Sequence, residues 1–245
     1  VPLVALFYVS GAVLVLIHFR HEVPRVFAMI FQEAFHINAV GGGALGYGVF
    51  RAVKIGISRG VFSNEAGLGS SVMAHAASDV KSPVVQGMWG ILEVFIDTIV
   101  VCTMTALVIL SSGVYQPQVY LQNMAYGIAN VDGTTLTGTA FSTVIPCGDK
   151  FLAISIALFA FATMVGWAYF GERTFAYLFG EKSAFLYKLL YVFMILPGCM
   201  MTSELAWEVA DTFNGLMALP NLTALILLSG EVVRITKNIT KKYKK

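Results

Sequence analysis

The sequence predicts an all-α polytopic membrane protein, and three observations predict it. Apolar residues make up 57% of the chain and charged ones only 12%, with a mean hydropathy of +0.76, which is a lipid-soluble composition. The apolar residues come in long runs. Residues 151–170 carry no charge at all, and a run of that length crosses a hydrocarbon core about 30 Å thick. A helix that is apolar all round belongs in lipid or in a large core, and a chain of 245 residues cannot bury several of them.

In chain order, the run 3–17 opens a first span at about 3–19. The amphipathic stretch 24–35 follows, and its charged flanks make it interfacial rather than spanning. Glycines at 41–43, 46 and 48 then lead into a polar segment at 59–71. Later spans are expected near 84–110, 150–170, 184–205 and 213–234, the run 88–110 being broken only by Glu93 and Asp97. The segment 111–149 has no Lys or Arg and reads as an outside connection, its Asn/Gly/Thr-rich centre a surface loop. The connections 76–83 and 171–182 fall inside with Lys81, Arg173 and Lys182. Arg234, Lys237, Lys241, Lys242, Lys244 and Lys245 put the C-terminal end in the cytoplasm. Arg20 and Arg25 fall on the expected outer side, against this topology.

Net charge +2 argues against a nucleic-acid binder. Cys102, Cys147 and Cys199 lack metal or redox spacing, and the two in apolar runs, Cys102 and Cys199, read as small buried residues. The chain opens Val1-Pro2, without methionine, charged leader or signal-peptide pattern, so an N-terminal part is expected upstream. No internal repeat is visible.

The segment Arg59-Gly60-Val61-Phe62-Ser63-Asn64-Glu65-Ala66-Gly67-Leu68-Gly69-Ser70-Ser71 carries the chemistry. Non-helical backbone at membrane depth is tolerated only where it is buried in protein or lines a cavity. If 49–62 and 68–77 are half-helices, then 63–67 is unwound. The first half ends in free carbonyls that suit a cation, and the second begins with free amides that suit a carboxylate. An amino-acid zwitterion carries both charges, which is the broken-helix logic of secondary transporters. Gly67 and Gly69 let a ligand approach the backbone, and Ser70 or Ser71 can cap the second half. The same residues also suit an ordinary loop with Asn64 and Gly67 as turn residues, and the physics alone leaves both open.

That string, with His75-Ala76-Ala77, Pro83, Gln86-Gly87 and Phe95-Ile96-Asp97-Thr98, resembles the alanine-or-glycine:cation symporter family. So do 160–167 (AFATMVGW), Gly171-Glu172-Arg173, Asp211, Asn214-Gly215-Leu216-Met217-Ala218 and Pro220-Asn221-Leu222. The resemblance covers nearly the whole chain in order and spacing. It implies the second half of a LeuT-type inverted-repeat fold, with the broken helix near 63–67, residues 1–19 like the family's fifth helix and 59–71 like its sixth. Residues 1–245 would then form one membrane domain, resembling helices five to ten, with the first repeat missing. It further implies uptake of small neutral amino acids, alanine or glycine, coupled to Na+ or H+, across a prokaryotic inner membrane.

On this resemblance Phe62, Ser63, Asn64, Ala66, Gly67 and Trp167 are the expected substrate contacts. Ala66 would leave room for only a small side chain, Phe62 would close over it, and Trp167 would wall the cavity. Thr163 is the sodium-ligand candidate, since hard cations take hydroxyl and carbonyl oxygens. The family often has a second hydroxyl just before it, where this chain has Ala162, which implies a weaker site. Glu65 needs a partner in lipid, either Arg59 or the backbone of the break. Arg59, Glu65 and Asp97 are expected to be structural, with Glu93 and Asp97 on one inward face. His75 is either a proton site or a polar end group. An enzyme is not expected: a hydrolase built on Ser63, His75 and Glu65 would need nucleophile and base within hydrogen-bond reach. The alternative within the family resemblance is a truncated, non-transporting half or an assembly partner.

Overall fold

The computed structural model describes residues 2–34, 43–65, 67–126 and 131–243, and among them there are helices and no strand. α1 (Pro2–His18) turns by 98° into the amphipathic α2 (Val23–Ala34). α3 (Gly43–Asn64) and the short α4 (Ser71–Ala76) follow, separated by non-helical chain. α5 (Pro83–Phe95) passes through a π-helical stretch, Ile96–Cys102, into α6 (Thr103–Ser111). Then come α7 (Pro117–Ala125), α8 (Gly133–Ser142), α9 (Gly148–Phe179), a 3-10 turn at Glu181–Ser183, α10 (Ala184–Met200) and α11 (Ser203–Tyr243).

Among the described residues, four stretches are long and apolar enough to cross a membrane: Pro83–Ser111, Gly148–Phe179, Glu181–Met200 and Ser203–Ile239. The bent α1–α2 pair makes a fifth if counted as one span. This is a multi-pass membrane protein. Phe185 and Leu227 are 77% and 79% exposed, as side chains facing hydrocarbon are.

Several boundaries differ from expectation. α9 continues to Phe179 and stops at Gly180, whose φ of +87° is open to glycine and strained for other residues. α10 stops at Met200. Met201 is extended, and Thr202 Oγ1 accepts from Leu205 N at 3.3 Å, so α11 starts well before 213. Cys102 and Cys199 are exposed, not buried, because the apolar surroundings of their helices include outward-facing surface.

The chain divides into two compact units, 1–47 with 98–164, and 48–97 with 165–245. In the first, α1, α6 and α8 pack together and α2 packs on α6. Ala12, Val15, Val108, Ala140 and Phe141 are completely buried there, and the Phe141 ring stacks on Phe151 at 5.5 Å. The expected surface loop within 111–149 is therefore corrected: α8 is part of the core. Asp132 caps it, accepting from the Thr134 and Thr135 amides at 2.9 Å each. Thr137 and Thr139 return their hydroxyls to the carbonyls of Gly133 and Thr135. A Thr-rich composition thereby satisfies itself in a helix.

The second unit contains α3, α4, α5, the later part of α9, α10 and α11. Among its described residues only Leu68, Ser70 and Ala176 are buried. Polar contacts tie its elements together.

Candidate functional site: the interrupted helix

α3 runs on to Asn64, whose side-chain amide donates to Gly60 O at 2.9 Å. The chain leaves the helix at Glu65, which has a φ of +51°, and Gly67 and Gly69 follow at +85° and +87°. α4 begins only at Ser71 and has six residues. The non-helical stretch thus spans 65–70, later than the expected 63–67. Ser63 and Asn64 belong to the last turn of α3, and Leu68 to the turn that follows it.

Two expectations about the break are corrected. Ser70 makes no side-chain cap on α4, since its own backbone is already helical. Its hydroxyl instead donates to Glu65 Oε2 at 2.6 Å. Glu65 does not pair with Arg59, which turns to α11. Arg59 Nη1 and Nη2 meet Asp211 Oδ1 and Oδ2 at 3.1 and 3.4 Å, and Ser58 Oγ donates to the same Oδ1 at 2.9 Å. A planar guanidinium matches a carboxylate with two parallel donors, a geometry Glu65 at the chain reversal does not offer. The guanidinium also lies 3.7 Å over the Trp207 ring, and Phe62 meets that indole edge-on at 5.2 Å between centroids.

Inside the break, Gly67 O accepts from Asn221 Nδ2 at 2.9 Å. A Cβ on Gly69 would lie 2.8 Å from Asn221 Oδ1, so position 69 needs glycine for contact as well as for φ. α11 therefore holds the interruption at two places, through Trp207 and Asp211 at the end of α3 and through Asn221 inside the break itself.

Ser63 Oγ donates to Asp97 Oδ2 at 2.7 Å. Asp97 lies in the π-helical stretch, whose wider turn changes the register of the span. Glu93 does not share an inward role with it. Glu93 is exposed, and its Oε2 lies 3.8 Å from His75 Nε2. His75 Nδ1 is 2.7 Å from Gln86 Nε2, and Ser78 Oγ donates to Gln86 Oε1 at 3.0 Å. His75 thus ties α4 to α5. The hydrolase arrangement is not formed: Ser63, Glu65 and His75 bond to Asp97, Ser70 and Gln86 in turn.

Two cavities adjoin the break. One of about 610 Å³ gathers Leu68, Gly69 and Ser70 with Trp167, Tyr187 and Asn221. The other, of about 1040 Å³, gathers Asn64, Gly67, Ser71 and His75 with residues of α5 and α11. The expected substrate contacts are therefore spread over four surroundings: Phe62 on Trp207, Ser63 on Asp97, Asn64 and Gly67 in the larger cavity, Trp167 in the smaller. Ala66 lies outside the described residues. Thr163 is an exposed residue of α9 in the first unit, whereas Trp167, one turn further on, belongs to the second.

Sequence reasoning missed Trp207, Gln86 and Asn221 as tie points and quoted Asp211 without its partner. Asp211 carried a usable signal, since an acid inside an apolar span demands a base. Trp207 sits one turn before it on the same helix face.

A family model described as the sodium:alanine symporter family matches residues 1–245. The chain belongs to the sodium:alanine symporter family. The sodium/alanine symporter AgcS of Methanococcus maripaludis is 39% identical over 97% of the chain and 50% of its own length. An uncharacterized transporter of Haemophilus influenzae is 37% identical over 100% of the chain and 52% of its own length. The probable sodium/glutamine symporter GlnT of Bacillus subtilis is 36% identical over 100% and 48%. The chain thus spans about half the length of these curated relatives, whose names describe transporters and not enzymes.

Proposed function

We propose that this chain is the second half of a cation-coupled symporter for small neutral amino acids, alanine foremost and glycine with it, in a LeuT-type fold. The observation that carries the reading is a helix interrupted at 65–70 and held by α11 both at the end of α3 and inside the break, in a member of the sodium:alanine symporter family. Free carbonyls at the end of α3 suit an ammonium group or a cation. Phe62, Ser63, Asn64, Ala66, Gly67 and Trp167 are the proposed substrate contacts, Arg59, Glu65 and Asp97 the polar frame, and Thr163 a sodium ligand. Na+ is the proposed coupling ion, in line with the names of relatives such as AgcS. H+ is the second possibility, since another relative is named a sodium/proton-dependent alanine carrier. The basic end of α11 faces the cytoplasm of a prokaryotic cell, and residues 1–245 act as one membrane domain within the bilayer.

The test is uptake of labelled alanine into proteoliposomes under an imposed inward sodium gradient. It compares this chain alone with a form extended upstream to its relatives' length. Uptake by the extended form that collapses with the sodium gradient supports the reading with Na+ as coupling ion, and uptake that follows an imposed proton gradient instead assigns H+; uptake indifferent to both gradients, or none with folded protein, removes it.

A further inference from the structure

We propose that Trp207 is a specificity-determining residue: it fixes the Phe62 ring and so limits the side chain a substrate can carry. The inference rests on the reading of Phe62 as a wall of the substrate site, and it assigns that wall's rigidity to α11.

Phe62 is in the last turn of α3, next to the break, where a phenyl ring can take more than one staggered rotamer. Its neighbour is the Trp207 indole, edge-on at 5.2 Å. The indole is itself held, because the Arg59 guanidinium covers its ring at 3.7 Å. Arg59 is held in turn by its two contacts with Asp211, and Asp211 also accepts from Ser58. The spacing makes this possible: 58, 59 and 62 share one face of α3, and 207 and 211 share one face of α11. Carboxylate, guanidinium, indole and phenyl form one chain of contacts, and each member restricts the next. Phe62 and Trp207 remain 38% and 39% exposed, so this chain of contacts is an accessible surface and not a packed core. A phenyl fixed beside the unwound backbone takes up the volume into which a longer substrate side chain would extend. Released, the same ring swings clear.

The experiment measures kcat/KM for alanine and for its longer homologues 2-aminobutyrate and norvaline, in the extended, transport-competent form. Trp207→Leu is expected to lower the preference for alanine over norvaline by roughly tenfold, the scale of one or two methylenes in an apolar pocket. Trp207→Phe, which restores an aromatic edge, is expected to recover most of it. Phe62→Leu serves as the reference. If Phe62→Leu relaxes the preference and Trp207→Leu leaves it unchanged, Trp207 does not act through Phe62 and the inference falls while the Phe62 reading stands. If neither variant changes the preference, both fall. Should Trp207→Leu fail to insert, Trp207→Met decides by the same ratio: a flexible chain with no ring edge is expected to lower the preference as leucine does, and an unchanged preference overturns the inference.

Discussion

The two units of this chain solve the same problem with different chemistry. The unit formed by 1–47 and 98–164 has a closed apolar centre, in which Phe141 and Val108 are fully out of contact with the surroundings. The unit formed by 48–97 and 165–245 has few buried side chains among its described residues, and its helices meet through polar contacts: Arg59–Asp211, Ser63–Asp97, Asn221–Gly67, His75–Gln86. Packing of the first kind resists change because every atom is touched from all sides. Contacts of the second kind hold a geometry while leaving the elements few reasons not to move.

Substitutions in the two units should therefore fail in different ways. The largest effect is expected at Gly148, where a Cβ would lie 2.5 Å from the backbone of Phe141 and Ser142. Gly148→Val should leave little folded protein, read as the monodisperse fraction after extraction. Phe141→Ala, which empties the centre of the same unit, should cost about 3–5 kcal/mol in denaturant unfolding in nanodiscs. Gly69→Ala should be milder on folding but severe on transport, because it strains the backbone and displaces Asn221. Normal alanine uptake in that variant would break the contrast.

Asp211→Asn keeps the shape but removes the charge that holds Arg59. Both side chains are about a third exposed, so the loss in stability is expected at about 1 kcal/mol or less, with a much larger loss of uptake. A stability loss equal to that of Phe141→Ala would show that the second unit is a core after all.

The smallest effect is expected at Asp132. Its hydrogen bond from the Thr135 hydroxyl, with help from the Thr135 and Thr134 amides, holds its carboxyl below the usual carboxylate range. A depressed carboxylate stabilises above its unfolded pKa and loses that contribution as pH falls through the lower, folded value. The cap on α8 should therefore hold near neutral pH and weaken only in acid. Thermal unfolding of Asp132→Asn should lie slightly below that of the parent at pH 7 and converge with it toward pH 3.

The hydrophobic spans were legible because length and composition suffice for them, and residues 151–170 needed no context. The break was legible as a polar, glycine-rich interval, but its edges were not. Asn64 extends α3 by bonding back to Gly60, and Glu65 takes a left-handed conformation that its residue type does not announce. α8 was misjudged because Thr and Gly were read by composition, whereas Asp132 and the threonine hydroxyls supply the helix with its own partners. For Arg59 the sequence offers a nearby acid, Glu65, for which the backbone of the break is the other open partner. The partner Arg59 takes, Asp211, stands 152 positions away, a distance that no local pattern encodes. The π-helical stretch at 96–102 had no sequence signal that was used, and it decides that Asp97 reaches Ser63 while Glu93 lies by His75.

Pro220 lies inside α11, directly beside the asparagine that grips Gly67. Proline has no amide hydrogen, so the rung of the helical ladder that would end on Leu216 is absent and the rod is weakest there. Trp207 and Asp211 hold the end of α3 and Asn221 holds the break, so the missing rung falls between the two grips of one helix, and the straightness of that single rod sets the spacing at which the chain is held.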